Sequence, residues 1–164
     1  MVQTNNLTGV LLAAGKGLRA YPSTKFLPKP LFKVDGETLL LKNINILIND
    51  FKVKEIHIVV GHFSDKIISY VNQLKLNIKI SFTLQKEING IANALYLLKD
   101  NLKNKKFVVI LADEYYHNPG HEDLKNKILQ GYSSILTFVK EKNFNIIKKN
   151  FIGKIKDDKI IDLE

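Results

Sequence analysis

The sequence predicts an α/β fold: a doubly wound, mostly parallel sheet with helices on both faces and a short C-terminal β-hairpin. Three observations carry that prediction. Apolar runs of strand character alternate with stretches of helical spacing through residues 7–139. The first run, LTGVLLAA (7–14), is apolar almost throughout and ends at Gly15, as a strand buried on both faces should. No repeat, low-complexity tract or interdomain linker interrupts the alternation, so the 164 residues read as one domain.

The elements follow in order. After a proline-rich loop, TLLLKNINILINDF (38–51) sets Leu40, Ile44, Leu47, Ile48 and Phe51 at helical spacing. EIHIVVG (55–61) is a second strand, and SDKIISYVNQL (64–74) a helix that Ser64 is expected to cap. NIKISFTL (77–84) alternates as a third strand and GIANALYLLKDNL (90–102) is read as one helix. KFVVILA (106–112) is a fourth strand, a helix is expected near 121–130, and SSILTFV (133–139) is expected as a fifth strand. This β-α-β-α-β-α-β order is that of a Rossmann-like sheet, because parallel neighbours need crossovers that leave helices on its faces. The tail FIGKIKDDKIIDLE reads as two short strands around Asp157-Asp158, and it stops in mid-alternation, so the natural chain is expected to continue.

Composition bounds the function. Apolar residues make up 45% and charged residues 25%, the balance of a globular domain. No apolar run approaches the roughly 20 residues that cross a bilayer and MVQTNN is no secretory leader, so a cytoplasmic protein without a membrane partner is expected. With no cysteine, thiolate chemistry and cysteine-based zinc sites are excluded. The net charge of +9 invites a nucleic-acid reading, but the lysines are dispersed and Lys, Asn and Ile together make 60 of 164 residues, as in AT-rich codon usage. Nucleic acid is not an expected partner; a homo-oligomer is compatible with the pattern.

The only arginine, Arg19, stands among lysines in LLAAGKGLRAYPSTKFLPKP (11–30). A guanidinium grips two oxygens of one phosphate as a planar fork, which an ammonium cannot do. Glycines after a first parallel strand let a phosphate approach the backbone. Gly15-x-Gly17-x-x-Ala20, with Asp35 downstream, formally meets the dinucleotide fingerprint. That fingerprint needs a helix starting at the loop, and Pro22, Pro28 and Pro30 oppose one. A stiff cationic loop suited to a polyphosphate remains. His117 and His121 are four apart, but Pro119 and Gly120 break the helix a zinc pair would need, while His57 and His62 are read as structural.

LLAAGKGLRAYPSTKFLPKPLF resembles the signature of the sugar-1-phosphate nucleotidylyltransferases, closest to the glucose-1-phosphate thymidylyl- and uridylyltransferases. The resemblance covers nearly the whole chain. It implies that Arg19 and Lys29 are the catalytic cations, on the β/γ- and α-phosphates. Leu12, Ala13, Ala14, Gly15 and Gly17 would hold the nucleotide, while Gln85 and Gly90 would read a pyrimidine base. Asp113, with Glu114 as substitute, would ligate Mg²⁺, and Gly153 would lie near the sugar. Position 18 departs from the pattern, since Leu18 stands where Thr or Ser is usual; Ile152 replaces a tyrosine before Gly153. The implied activity is transfer of a nucleotidyl group from UTP or dTTP to a sugar-1-phosphate with release of pyrophosphate. The alternatives are cytidylyl transfer to a phosphorylated amino alcohol and a non-catalytic nucleotide-binding or regulatory module. A Glu-Lys-Pro segment and a second metal-binding aspartate are expected beyond residue 164. The three motifs follow the first, third and fourth strands and should meet at the carboxyl edge of the sheet, where ligands of open α/β folds bind.

Overall fold

The computed structural model describes residues 7–117, 120–129, 134–137, 142–143, 145, 153–156 and 159–163. Its centre is a four-stranded parallel sheet in the order β5-β4-β1-β6, built from Lys79–Leu84, Glu55–Val60, Leu7–Ala13 and Lys106–Leu111. β1 lies between two neighbours and is buried along its length except at half-buried Leu12, which explains its nearly unbroken apolar run. The register sets Val10 between His57 and Val109 and Leu12 between Val59 and Leu111.

Side chains alternate across the sheet and feed two cores. On one face Leu11, Ala13, Ile56, Ile58, Val60 and Ile110 pack with Leu40, Ile44, Leu47, Ile67 and Val71. These last come from α1 (Leu39–Asn45), a π-helical turn (Ile46–Asp50) and α2 (Ser64–Gln73). On the other face Val10, Ala14 and Val59 meet Ala94, Leu98 and Leu102 of α3 (Gly90–Tyr96), α4 (Lys99–Leu102) and their junction. The doubly wound arrangement is therefore present. Among the described residues no helix is long and apolar enough to cross a membrane.

Several boundaries differ from expectation. The helix expected over 38–51 keeps α-geometry only to Asn45 and then widens, with the Phe51 amide bonding back to the Ile46 carbonyl. The helix expected over 90–102 breaks at Leu97 and Leu98 into α3 and α4, which keeps Leu98 in the core. Ser64 does not cap α2: Phe63 holds the N-cap position with φ 61, and no side chain caps it. A small antiparallel pair, β2 (Lys33–Val34) with β3 (Glu37–Thr38), turns through Asp35 (φ 53) and Gly36 (φ 84), where both backbones are left-handed as a type I′ turn requires. The fifth strand expected over 133–139 is not seen in its described part, since 134–137 are in no strand. α5 spans His121–Leu129. β7 (Gly153–Lys156) pairs antiparallel with β8 (Lys159–Leu163), and Asp157-Asp158 lies outside the described residues.

An electrostatic cluster ties the amino-terminal ends of the strands. The Glu55 carboxylate accepts from Lys105 at 2.5 Å, Lys79 at 3.2 Å and Thr8 at 3.4 Å. The Lys105 hydrogen bond, outweighing burial and aided by Lys79, pulls its pKa down to about 2. Burial lowers the pKa of His57, whose Nδ1 lies 2.5 Å from the Ser81 hydroxyl. Both groups bind fewer protons folded than unfolded, so both stabilise the fold at neutral pH and lose that contribution on acidification. The loss should begin below 6.5 for His57 and run from 4.5 towards 2 for Glu55. Urea unfolding at a series of pH values should show stability falling through that lower window, and Glu55→Gln should flatten the fall. At pH 7 that variant should be roughly 2 kcal/mol less stable, the pKa shift being discounted for the exposed lysines.

Candidate functional site

A cleft of about 210 Å³ opens at the carboxyl edge of the sheet, where β1, β5 and β6 end. Leu12, Ala13, Ala14, Gly15, Gly17, Lys29, Gln85, Gly90 and Asp113 all line it, so nine of the expected site residues come together. Arg19 does not line the cleft; it sits exposed in the 3₁₀ turn Leu18–Ala20, two residues beyond Gly17. Gly153 opens β7 and is not among the cleft-lining residues described.

The glycine loop is shaped by prolines and local hydrogen bonds. Between β1 and β2 the chain makes three 3₁₀ turns, Leu18–Ala20, Ser23–Lys25 and Lys29–Leu31, the short helices that a proline-rich segment can still form. The Gly17 carbonyl accepts from the Ala20 amide at 2.9 Å and the buried Thr24 hydroxyl at 3.0 Å. Gly17 has φ 65, and a Cβ there would come 2.9 Å from Thr24 Cγ2. Pro30 and Leu31 are buried and seat the third turn, which presents Lys29 to the cleft.

Lys29 Nζ lies 2.9 Å from Asp113 Oδ2, with both side chains a little over one-third exposed. This pair links the proline loop to the end of β6 and sets a cation beside a hard oxygen donor. Glu114 is not placed to substitute for Asp113. It is outside the cleft, and its carboxylate accepts from the Tyr116 hydroxyl at 2.8 Å. Burial first, and then that hydrogen bond, push the Tyr116 pKa up. Among the described residues no three His, Cys, Asp or Glu side chains cluster as a metal set. His121 is buried and engages Asp50 at 2.7 Å, with the Phe51 and Tyr116 rings beside it, while His117 is exposed.

Gln85 is 3% exposed, and its backbone amide bonds to the Val60 carbonyl at 2.8 Å, extending the strand edge. Its side-chain amide donates to the Gly90 carbonyl at 3.3 Å and Asn93 Oδ1 at 3.0 Å. Both donors are thereby engaged and Oε1 is left as the available acceptor. Gly90 has φ 87, a backbone that suits glycine, and opens α3 with its carbonyl turned to Gln85. Sequence reasoning missed Asn93, Ile88 and Ile91. The isoleucines line the cleft and are 38% and 52% exposed, an apolar wall of the kind on which a flat ring packs. The signal available was the pair of isoleucines in INGI (88–91), which runs from the loop after Gln85 into the first turn of the helix.

A glycine loop and an ion pair at the carboxyl edge of a parallel sheet define an α/β protein that receives ligands at strand ends. The nucleotidyl transferase family profile matches residues 8–156, and the chain belongs to that family. The bifunctional protein GlmU of Methanococcus maripaludis strain C5 is 31% identical over 160 residues, which cover 96% of this chain and 35% of that protein. UTP–glucose-1-phosphate uridylyltransferase AglF of Haloferax volcanii is 31% identical over 111 residues, 68% of this chain and 45% of that protein. A Bacillus anthracis structure assigned as a glucose-1-phosphate thymidylyltransferase, in complex with sucrose, shares the fold with a TM-score of 0.79 at 23% identity, covering 96% of this chain and 63% of that one. The chain therefore spans about a third of the GlmU relative's length and under half of AglF's.

The left-handed backbone of Gly17 and its contact with Thr24 give a direct check. Gly17→Ala should lower stability by about 1–3 kcal/mol in urea unfolding, because it adds strain at a positive φ and a close contact with a buried side chain. Unchanged unfolding would show that Thr24 does not hold this loop.

Proposed function

We propose that the chain carries the nucleotide-holding part of a transferase that moves a nucleotidyl group from UTP or dTTP to a sugar-1-phosphate, releasing pyrophosphate. The observation that supports this most is the gathering of the glycine loop, the Lys29–Asp113 pair and Gln85 around one cleft. A sugar-1-phosphate oxygen attacks the α-phosphorus; the new P–O bond forms as the α–β bridging bond breaks, and the electron pair leaves with pyrophosphate. The nucleophile is already an anion, so no general base is required, and catalysis is the pairing of charge as it spreads over the leaving group.

Lys29 serves the α-phosphate, and the loop backbone at Gly15 and Gly17 lets phosphate oxygens approach closely. Arg19, on the exposed end of the same loop, serves the β- and γ-phosphates through its two-pronged donor set. Nucleotidyltransferases of this family generally use a divalent metal. The donor chemistry fits Mg²⁺, because Asp113 offers a partly exposed carboxylate at the cleft, and such an ion needs only one or two protein carboxylates beside phosphate oxygens and water. When bound, Mg²⁺ supplies further neutralisation of the polyphosphate. Binding of nucleotide and metal would exchange the Lys29–Asp113 pair for a lysine–phosphate and an aspartate–metal pair, leaving no charge alone.

The base preference follows from Gln85. With its NH₂ group donating to Gly90 and Asn93, Oε1 can accept the N3–H of uracil or thymine. Cytosine has a lone pair at N3, where it would face an acceptor with an acceptor, and only its 4-amino group could donate to Oε1. This favours UTP or dTTP over CTP, and the sugar-1-phosphate is the acceptor the family resemblance suggests.

The deciding experiment incubates the chain with Mg²⁺, UTP or dTTP and glucose-1-phosphate and measures pyrophosphate. Release above the control without sugar phosphate is expected; nucleotide binding with no release would assign the chain a binding role only. In whichever form turns over, Arg19→Ala should lower kcat/KM on the order of 100-fold, the usual loss for one preorganised charge-stabilising group. Arg19→Lys should recover little of that loss, and near-normal turnover by it would refute the bidentate role.

A further inference from the structure

Asn43 lies inside α1, 1% exposed, in a place where sequence patterning favours an apolar residue. A buried amide costs free energy unless its hydrogen bonds are made, and asparagine is a poor helix former. Its Nδ2 donates to the Glu114 carbonyl at 3.0 Å and to the Leu111 carbonyl at 3.3 Å. Those carbonyls are the first and last of the turn 111–114, which the Glu114 amide closes on the Leu111 carbonyl at 3.2 Å. Asp113 is inside that turn. One NH₂ group thus clasps both ends of the segment that carries the cleft's only aspartate among the described residues. The opposite amide rotamer would aim Oδ1 at two carbonyl oxygens, so the orientation is fixed by chemistry. Oδ1 itself has no partner, so the orientation is set from the Nδ2 side.

α1 is in turn anchored at its start. Thr38 Oγ1 accepts from the Leu41 amide at 3.1 Å and donates to the Tyr70 hydroxyl at 2.9 Å, and the Leu39 amide bonds to the Phe32 carbonyl at 2.9 Å. Phe32 follows directly on the turn that presents Lys29. A short rigid path therefore runs from the Lys29 turn through α1 to the Asp113 turn. A polar cleft of about 280 Å³, lined by Asn43, Asp50, Tyr115 and Tyr116 among others, opens beside this path, so the amide is a direct tie between helix and turn on that flank.

We propose that Asn43 is a positioning residue that fixes the backbone of the Asp113 turn and so the direction in which the Asp113 carboxylate meets a divalent metal. This rests on the reading of Asp113 as a metal ligand. No other common side chain of this size does the same: aspartate would set an acceptor against two carbonyls, serine brings one donor, and leucine none.

The test reads metal binding rather than turnover. Mn²⁺ is titrated into the full chain with UTP present, followed by water-proton relaxation and corrected for UTP alone. Asn43→Leu should raise the Mn²⁺ concentration for half-saturation about tenfold, the lower end of losses seen when groups supporting a metal ligand are removed. Metal-free UTP binding should stay at the wild-type level. A folded Asn43→Leu chain with wild-type Mn²⁺ affinity overturns the inference, even if it melts earlier. Should that variant fail to fold by circular dichroism, Asn43→Ser decides on the same readout. A wild-type chain that shows no Mn²⁺ binding beyond that of UTP overturns the Asp113 assignment and this inference together, and the wild-type curve alone tells that failure from the other.

Discussion

The contact between Lys29 and Asp113 is the interaction on which the arrangement of the cleft depends. It spans 84 positions of sequence and brings a lysine from a proline loop to an aspartate at a strand end, 2.9 Å apart. As a source of stability it is minor, since a pair this exposed contributes at most about 1 kcal/mol. A single fully buried leucine such as Leu11 or Leu47 contributes more, roughly 1.5–3 kcal/mol. The pair is therefore held by the fold and not the reverse. Adjacent parallel pairing of β1 with β6 sets the two strand ends side by side, and the buried Pro30 and Leu31 seat the loop against the core.

Strong and labile electrostatics are found at opposite ends of the sheet. At the amino-terminal end Glu55, opposite Thr8 and Lys79 in register, is only slightly exposed and carries a deeply lowered pKa. Such a cluster favours one charge state and keeps the strands in register. At the carboxyl end the charges are partly solvated and arranged as one exchangeable pair, which a ligand can replace without leaving a buried charge unpaired. For the polyanion of the proposed function, tight pairing there would have to be undone at each binding event.

Much of this was legible in the sequence, and the exceptions share a cause. Strands β1, β4 and β6 follow from nearly continuous apolar runs and the edge strand β5 from alternation, while the cleft follows from motifs that each stand just after a strand. Misreadings came where a local signal lost to packing. Ser64 is a good cap in isolation, but the chain enters α2 through a left-handed Phe63, whose backbone the Ser64 amide closes onto Gly61. Helical spacing over 90–102 holds in projection, yet keeping Ala94, Leu98 and Leu102 all against the sheet is achieved with a break at Leu97–Leu98. The Asp35-Gly36 hairpin was overlooked although Asp-Gly is a strong short-range turn signal, because each strand it joins is only two residues long. Asn43 could not be assigned from sequence at all. Its place among Leu40, Ile44 and Leu47 sets it on the apolar face, but the two carbonyl partners that account for it there, contributed by residues 111 and 114, are brought to it only by the fold.

A dependence on hydrogen-bond partners also governs the Gln85 end of the cleft. A glutamine alone can present either end of its amide, so its type does not select a ligand. Here Asn93, one turn into α3, and the carbonyl of Gly90 both take hydrogen from Gln85, and the helix start therefore dictates which end remains. The isoleucine wall lies on the same segment, with Ile88 just before α3 and Ile91 in its first turn. Polar selection and apolar packing are thus carried by one stretch of ten residues or so after β5. A shift of α3 would alter both together. Leu18 has no such support: it is 74% exposed on the loop's outer turn, where its apolar side chain adds nothing to a phosphate contact. In the proposed function the polyphosphate grip would therefore fall on the loop's backbone amides and on the cations at 19 and 29, which would make the arginine's fork the feature that a loop without a hydroxyl at position 18 can least spare.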